Sequence, residues 1–387
     1  MLTLVAAGRF FPYNRSMVDA PAHGLAVFTL AAAAVLFMGN PEPPHLWLGF
    51  AGDLMAPLSL QNQKDLHRIY TGVEPWLRSD DLNFINMESP VEDDRPPSGY
   101  PAFNTHSSYV EAAIQAGFNV FNTANNHAND FGWPSVRGTT EAFESLSQKY
   151  PIWYSGVRQD PEQKFLDDVI KIHGWKIGFL GFSTFVNQPE GKEGVALYPY
   201  HDFWGDKNLG ARLEALNRVR ELAEKVDWLV VAVHGGIEYD PVTQPWEYRF
   251  FDELAQAGAD VVWVQHPHVL RPWWLVKTKR GESLVLSSMG NFASDQTEDL
   301  GPSEGWRNRA ETGDSCLMRI RVGLRHGRLT LEDLQPVLLS QFWDSQGERI
   351  LPTKSLAQQG PVLWRGYYED NERRQEAWAN SGKRIKD

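Results

Sequence analysis

Five apolar runs in this sequence end in residues able to bind a metal ion or to move a proton. Leu46 to Gly52 is followed by Asp53, Asn83 to Met87 by Glu88, and Val120 to Ala124 by Asn125, Asn126 and His127. Trp228 to Val233 is followed by His234, and Val261 to Gln265 by His266-Pro267-His268. Together they form a mixed oxygen and nitrogen donor set, which suits Mn, Fe or Zn better than Ca²⁺. It is larger than one tetrahedral ion needs. Two ions about 3.5–4 Å apart, sharing a carboxylate, would use it fully, clamp a phosphoryl group and make hydroxide at neutral pH.

Singly, each residue has an ordinary role open to it. Asp53 could cap a turn, Glu88 before Ser89-Pro90 could be a turn carboxylate, and Asn125 to Asp130 reads as an Asn-rich turn. A lone His after a strand usually bonds within its own loop. Their shared position behind apolar runs is what points to a site, with Asn126 as a neutral oxygen ligand and His127 as a proton donor. In His266-Pro267-His268, side chains two apart in an extended segment point the same way, and Pro267 disfavours helix at His266. One cysteine, Cys316, excludes an intramolecular disulfide and a thiolate cluster. With no glycine-rich phosphate loop and no Gly-x-Ser-x-Gly elbow, nucleotide-loop and serine-hydrolase chemistry lack support, and Ser288 is no nucleophile.

The runs that carry these residues alternate with helical patterns, the signature of an α/β fold with helices covering a sheet. Lys176 to Phe182 is a further strand of the series. The spacing of Leu209, Leu213, Leu216, Val219, Ala223 and Val226 predicts a helix over Asp206 to Val226. Shorter helices are predicted at Ser108 to Ala116 and Glu247 to Ala257, each ending at a glycine, Gly117 and Gly258. In an open α/β sheet, ligands bind outside the carboxyl ends of the strands, so these strand ends converge on one place. Further on, Cys316 to Leu324 and Arg328 to Leu339 flank Arg325-His326-Gly327 and predict a hairpin at the sheet edge.

The chain of 387 residues is long enough for a large core, and its 42% apolar and 22% charged residues exclude disorder for most of it. Acidic residues number 49 against 37 basic ones, a net charge of −12, which disfavours nucleic acid as a partner. Gly24 to Gly39 is uncharged and apolar behind Arg9 and Arg15, the layout of a secretory signal or a short anchor. That predicts a location at the cell envelope. Asn40-Pro41-Glu42-Pro43-Pro44 reads as a linker. The expected organisation is a signal or anchor segment with linker over 1–44, a main domain over 45–345 and a charged extension over 346–387.

Taken in order, the motifs resemble those of the CapA-type poly-gamma-glutamate capsule synthesis family, whose fold resembles that of calcineurin-like metallophosphoesterases. The matching pieces are Gly52-Asp53-Leu54-Met55, Asn86-Met87-Glu88-Ser89-Pro90, Ala124-Asn125-Asn126-His127 with Asp130 and Gly132, and His234-Gly235-Gly236-Ile237-Glu238-Tyr239. Gly258-Ala259-Asp260, His266-Pro267-His268 and Met289-Gly290-Asn291-Phe292 complete the set. The resemblance implies a four-layer αββα sandwich with two divalent ions at the strand ends. It implies Asp53, Glu88, Asn126, His234, His266 and His268 as ligands, Glu88 bridging, and His127 as the acid that protonates the leaving oxygen. Glu238, Tyr239 and Asn291 would line the substrate pocket.

The sequence departs from the family at Gly235, which replaces the usual Trp, at Gln265, which replaces a His, and at Ser287 and Met289. Met55 stands where general phosphoesterases have a His ligand. The implied function is a metal-dependent hydrolase acting on a phosphoester or an anionic polymer. The alternative is a non-catalytic polymer-binding or assembly component working beside membrane capsule-synthesis proteins. A sugar-binding role for Trp273-Trp274 would require that pair to be exposed.

Overall fold

The computed structural model describes residues 45–162, 168–199, 209–296 and 309–382, all within a compact unit spanning Pro44–Asp387. In chain order its strands begin with β1 (Leu46–Met55), β2 (Leu82–Glu88), β3 (Val120–Asn122), β4 (Trp153–Ser155) and β5 (Asp168–Ile172). They continue with β6 (Trp175–Ser183), β7 (Trp228–His234), β8 (Val261–Gln265), β9 (Trp273–Thr278) and β10 (Gly281–Leu286). The last are β11 (Asn291–Ala293), β12 (Asp314–Arg325), β13 (Arg328–Asp344) and β14 (Gly347–Pro352). The principal helices are α1 (Ser107–Ala116), α2 (Trp133–Ser147), α3 (Leu209–Ala223), α4 (Pro245–Ala257), α5 (Thr353–Gln359) and α6 (Arg365–Ser381).

Two sheets form. An eight-stranded sheet runs β14-β13-β12-β1-β2-β3-β4 with β11 added beside β1, and a six-stranded sheet runs β5-β6-β7-β8-β10-β9. β1, β2 and β3 are mutually parallel, as are β6, β7 and β8, so their carboxyl ends gather in two groups. Between the sheets lies an aromatic core in which Phe50 stacks on Phe84 with centroids 4.7 Å apart and Phe179 meets Phe84 edge-on at 5.5 Å. Trp263 bridges the layers by donating its Nε1–H to the Ala51 carbonyl at 2.9 Å.

The outer face of the first sheet buries Ile85, Met87 and Phe121 under Val110, Ala113, Phe143 and Leu146 of α1 and α2. The outer face of the second buries Val231, Val233 and Val262 under Leu216, Val219, Phe250 and Leu254 of α3 and α4. Strands buried on both faces read as continuous apolar runs, which is why these were visible. The result is the four-layer αββα arrangement that the resemblance implied.

Helix α3 is described from Leu209, and its first turn departs from the predicted face. Leu209 and Leu213 are exposed while Leu216, Val219 and Leu222 are buried. α1 and α4 stop at Gly117 and Gly258, as their sequences indicate. The hairpin forms from β12 and β13 with His326 and Gly327 at φ 51° and 79°, the doubly positive geometry of a two-residue turn. It is not the edge, since β14 pairs beyond it. Residues 347–381, expected within a charged extension, thus supply a sheet strand and two helices, with Tyr368, Asn371 and Gln375 of α6 buried.

The expected location at the cell envelope through an N-terminal anchor is corrected. Among the described residues no helix is long and apolar enough to cross a membrane, and Gly24 to Gly39 lies outside them. A spanning helix needs about 20 mainly apolar residues, whereas α6, with 17 residues, reads RGYYEDNERRQEAWANS.

Candidate metal centre

The two groups of strand ends bring the predicted residues together. Asp53 lies near the end of β1 and Glu88 closes β2, while His234 closes β7 and His266 and His268 follow β8. All five are buried. Asn86 shares a face of β2 with Glu88, being two residues away. Its Nδ2 lies 2.8 Å from Asp53 Oδ1 and 3.3 Å from both Glu88 Oε2 and His234 Nδ1. Asn122 of β3 donates to Asn86 Oδ1 at 2.8 Å and so fixes which way that amide points.

His234 Nε2 sits 2.8 Å from Asn126 Oδ1 and 3.6 Å from Glu88 Oε1. His268 Nδ1 lies 2.8 Å from Asn291 Oδ1 and 3.2 Å from Asp53 Oδ2, and its Nε2 is 3.6 Å from Glu88 Oε1. Glu88 Oε1 therefore stands between two imidazoles. The His266 backbone N–H donates to Asp53 Oδ2 at 3.2 Å, and its ring Nε2 is 3.9 Å from Glu238 Oε1. Three sets of donor atoms each fall within 4.8 Å: Glu88, His234 and His266; Asp53, Glu88 and His268; and Glu238, His266 and His268. Glu88 belongs to the first two, which is the bridging place.

The His-x-His pair reaches the site by a different backbone from the one predicted. His266 has φ 100° and His268 φ 58°, both in territory that side chains rarely occupy, rather than an extended path. Strain of this kind persists where surrounding contacts over-determine it, and here the Asp53 carboxylate holds both residues. Met289-Gly290-Asn291 closes on β1 with equal tightness. A Cβ at Gly52 would lie 1.8 Å from the Gly290 carbonyl oxygen, and the Asp53 N–H donates to that same oxygen at 3.1 Å. This contact places Asn291 next to Asp53.

Electrostatics match a cation site. Burial, then the neighbouring Asp53 and Glu238 carboxylates, push Glu88 well above the usual carboxylate range. Burial, then the other imidazoles, hold His234 and His266 well below the ordinary histidine value, so both are neutral and able to ligate. Burial opposes a proton on His268 too, but Asp53, Glu238 and Asn291 outweigh it and raise its pKa. Glu88 Oε1 and His266 Nδ1 are buried without a hydrogen-bond partner among the described residues. Such atoms cost about 1–3 kcal/mol each when unsatisfied, and a divalent ion held by these oxygens and nitrogens fits Glu88 Oε1.

His127 stands apart from the ligand sets. Its Nδ1 is 2.8 Å from Asp130 Oδ2, which also accepts the Phe103 N–H at 2.7 Å. Phe103 packs edge-on against its ring at 4.8 Å. With Nδ1 engaged, Nε2 is the nitrogen left to exchange a proton. A cavity of about 720 Å³ opens over the centre, lined by Asn126, His127, Glu238, Tyr239, His268 and Asn291 together with Met55. Glu238 is the half-exposed member at 47%.

Sequence reasoning assigned no role to Asn86, Asn122, Asp130 or Arg271. The period-two spacing of Asn86 and Glu88 was the available signal for the first. For Arg271 there was none. It is fully buried, pairs with the equally buried Glu247 at 2.9 Å and donates to the carbonyls of Asp240 at 2.6 Å and Ile237 at 3.0 Å. It thereby ties the loop carrying Glu238 and Tyr239 to the segment after His268, and Trp378 of α6 holds its own carbonyl at 2.6 Å. Trp273 and Trp274 are buried at 1% and 4%, which overturns a sugar-binding role for that pair. At Gly235 a Cβ would meet Thr184 Oγ1 at 2.2 Å, so this backbone has no room for a larger side chain unless Thr184 moves.

Known proteins resemble this chain in sequence and in structure. Two relatives are the capsule biosynthesis protein CapA of Bacillus anthracis, 26% identical over 82% of this chain and 74% of the relative, and the PGA biosynthesis protein CapA of Bacillus subtilis (strain 168), 28% identical over 75% and 73%. Among solved structures, a hypothetical protein from Thermus thermophilus is 15% identical with a TM-score of 0.43, covering 76% of this chain and 99% of its own. The calcineurin-like phosphoesterase YfkN from Bacillus subtilis is 14% identical with a TM-score of 0.42, covering 85% and 100%. The sequence profile of the bacterial capsule synthesis protein PGA_cap matches residues 47–296, the stretch that supplies every residue of the centre. The chain belongs to that capsule synthesis family.

Proposed function

We propose that the chain is a metal-dependent, phosphoesterase-like hydrolase that acts on a phosphoester or an acidic polymer during capsule synthesis. The observation that carries this reading is the oxygen Glu88 Oε1, buried between two imidazole nitrogens at 3.6 Å without a hydrogen bond among the described residues. Asp53, Glu88 and His268 would hold one divalent ion, and Glu88, Asn126, His234 and His266 a second, with Mn, Fe or Zn suited to the donors. When bound, the ions would polarise a phosphoryl oxygen and supply a nucleophile at neutral pH.

The chain's own residues do the rest. Asn86 and Asn122 keep the carboxylates oriented. His127 gives a proton from Nε2 to the leaving oxygen, while Asp130 accepts the hydrogen bond from Nδ1–H and keeps the ring in the right tautomer. Glu238, Tyr239 and Asn291 border the space for the substrate. The names of the two relatives, capsule biosynthesis and PGA biosynthesis, support capsule polymer as the wider context, and poly-gamma-glutamate is the polymer that the sequence resemblance implies.

The test is metal content and turnover of the full chain with added Mn²⁺, using p-nitrophenyl phosphate and bis-p-nitrophenyl phosphate. Two ions per chain are expected. His127→Ala should keep them and lose roughly 10²–10⁴-fold in turnover, and Glu88→Gln should lose both metal and turnover. Metal without turnover in the wild type would exclude hydrolysis and leave a role in binding or assembling polymer.

A further inference from the structure

A second cavity, of about 760 Å³, lies beside the metal-centre pocket and is bordered by Lys64, Arg68 and Arg349, with Gln63 and Thr71 between them. The two share a wall. Pro57 lines the first and Ser59 the second, and two residues span at most about 7 Å. Ser294 and Gln296 also line the first cavity. Asp295 between them accepts a hydrogen bond from Ser59 Oγ, and its N–H donates at 3.0 Å to Glu348, the residue before Arg349.

The second cavity is cationic in a chain of net charge −12. Its lining holds three basic side chains and one acid, Asp65, which already accepts the His67 N–H at 3.1 Å. Lys64 and Arg349 have no ion-pair or hydrogen-bonded side-chain partner among the described residues. Arg68 is the exception, pairing with Asp344 and donating to Gln346 Oε1 at 2.9 Å. Nε of Arg68, Nε of Arg349 and both amide atoms of Gln63 are buried without a hydrogen bond. A structural cation of this kind would be expected to carry a paired carboxylate; Arg349 does not. Its planar fork matches a carboxylate in two contacts, and the flexible Lys64 follows as a point charge.

We infer that this cavity is an anion-binding subsite, which seats carboxylates of an acidic polymer whose adjoining part lies in the metal-centre pocket. The inference deepens the proposed function and rests on it for what happens at the metal. It also answers how an acidic protein holds an acidic substrate: the attraction is local, over distances shorter than the screening length.

The experiment measures binding of a fluorescently labelled oligo-gamma-glutamate to the full chain by anisotropy at low and high salt, with labelled polyphosphate in a parallel arm. Wild type should bind oligo-gamma-glutamate in a salt-sensitive manner. The charge reversals Lys64→Glu and Arg349→Glu together should weaken it about tenfold or more, while bound metal and turnover of p-nitrophenyl phosphate stay unchanged. Lys64→Gln with Arg349→Gln gives a milder variant should the reversal unfold the chain. Unchanged affinity in the variants, or no binding by the wild type, overturns the subsite. Polyphosphate binding alone, lost in the variants, overturns its assignment to carboxylates. Absence of phosphoester turnover with charge-sensitive polymer binding intact overturns the hydrolase instead and leaves the subsite standing.

Discussion

Replacing Arg271 with methionine separates what this buried cation does for stability from what it does for the site. Its guanidinium makes three short contacts, to Glu247 Oε1 and to the carbonyls of Asp240 and Ile237, at 2.6 to 3.0 Å. Methionine fills much of the same volume but leaves the Glu247 carboxylate without its cation and two carbonyls without a donor. Breaking a fully buried ion pair costs about 3–5 kcal/mol. Burial already raises the Glu247 pKa against the pull of Arg271, so uptake of a proton limits the loss, and about 4 kcal/mol is the expected total. Urea unfolding of Arg271→Met measures it. Adding Glu247→Leu removes the stranded carboxylate and should return part of that stability, a coupling read from the double-mutant cycle, while the two carbonyls and the Gln244 N–H that donates to Glu247 stay unpaired. The loop ties to Asp240 and Ile237 stay broken in the double variant, so Glu238 and Tyr239 lose their placement. KM for p-nitrophenyl phosphate should then rise about tenfold even though part of the stability has returned. A loss below about 1 kcal/mol in Arg271→Met, or recovery of stability and KM together in the double variant, would refute the reasoning.

Gly52→Ala drives a methyl group into the Gly290 carbonyl, at 1.8 Å on the present backbone. The chains must part there, so a loss of about 3 kcal/mol is expected from overpacking, together with weaker Mn²⁺ binding by calorimetry, because Asp53 and Asn291 sit on the two sides of that contact. Unchanged metal affinity would show that the close approach does not organise the centre. Glu348, away from the ligands, supplies a pH dependence. Burial above all raises its pKa from 4.5 to about 8 in the folded chain. Between those values the folded state binds more protons than the unfolded one, so stability is full below about pH 4.5 and falls as pH rises towards 8, by at most about 5 kcal/mol. Glu348→Gln removes this slope, so urea stability at about pH 6 and about pH 9 should differ less in the variant than in the wild type; equal differences would count against a neutral Glu348.

What the sequence determined by itself is local. An apolar strand buried on both faces writes a continuous run, a helix writes a three-to-four period, and a two-residue hairpin turn writes its glycine. Asp53, Glu88, His127, His234 and the His266–His268 pair were legible because each follows such a run directly, and the carboxyl ends of parallel strands are where an α/β sheet opens. The chemistry of the centre could therefore be read before its geometry. The tertiary structure alone decided the partners. Nothing local indicates that Arg271 reaches back to Ile237, that Asn122 orients Asn86, that Trp273 and Trp274 face the core, or that residues 347–381 join the sheet. His266 and His268 meet the other ligands through positive φ values that their own sequence opposes. The cationic cavity is assembled from Lys64 and Arg68, early in the sequence, and Arg349, late in it. These outcomes depend on contacts between residues far apart in the chain, whose energy appears only once the layers have packed, and the periodicity of either segment alone carries no record of it.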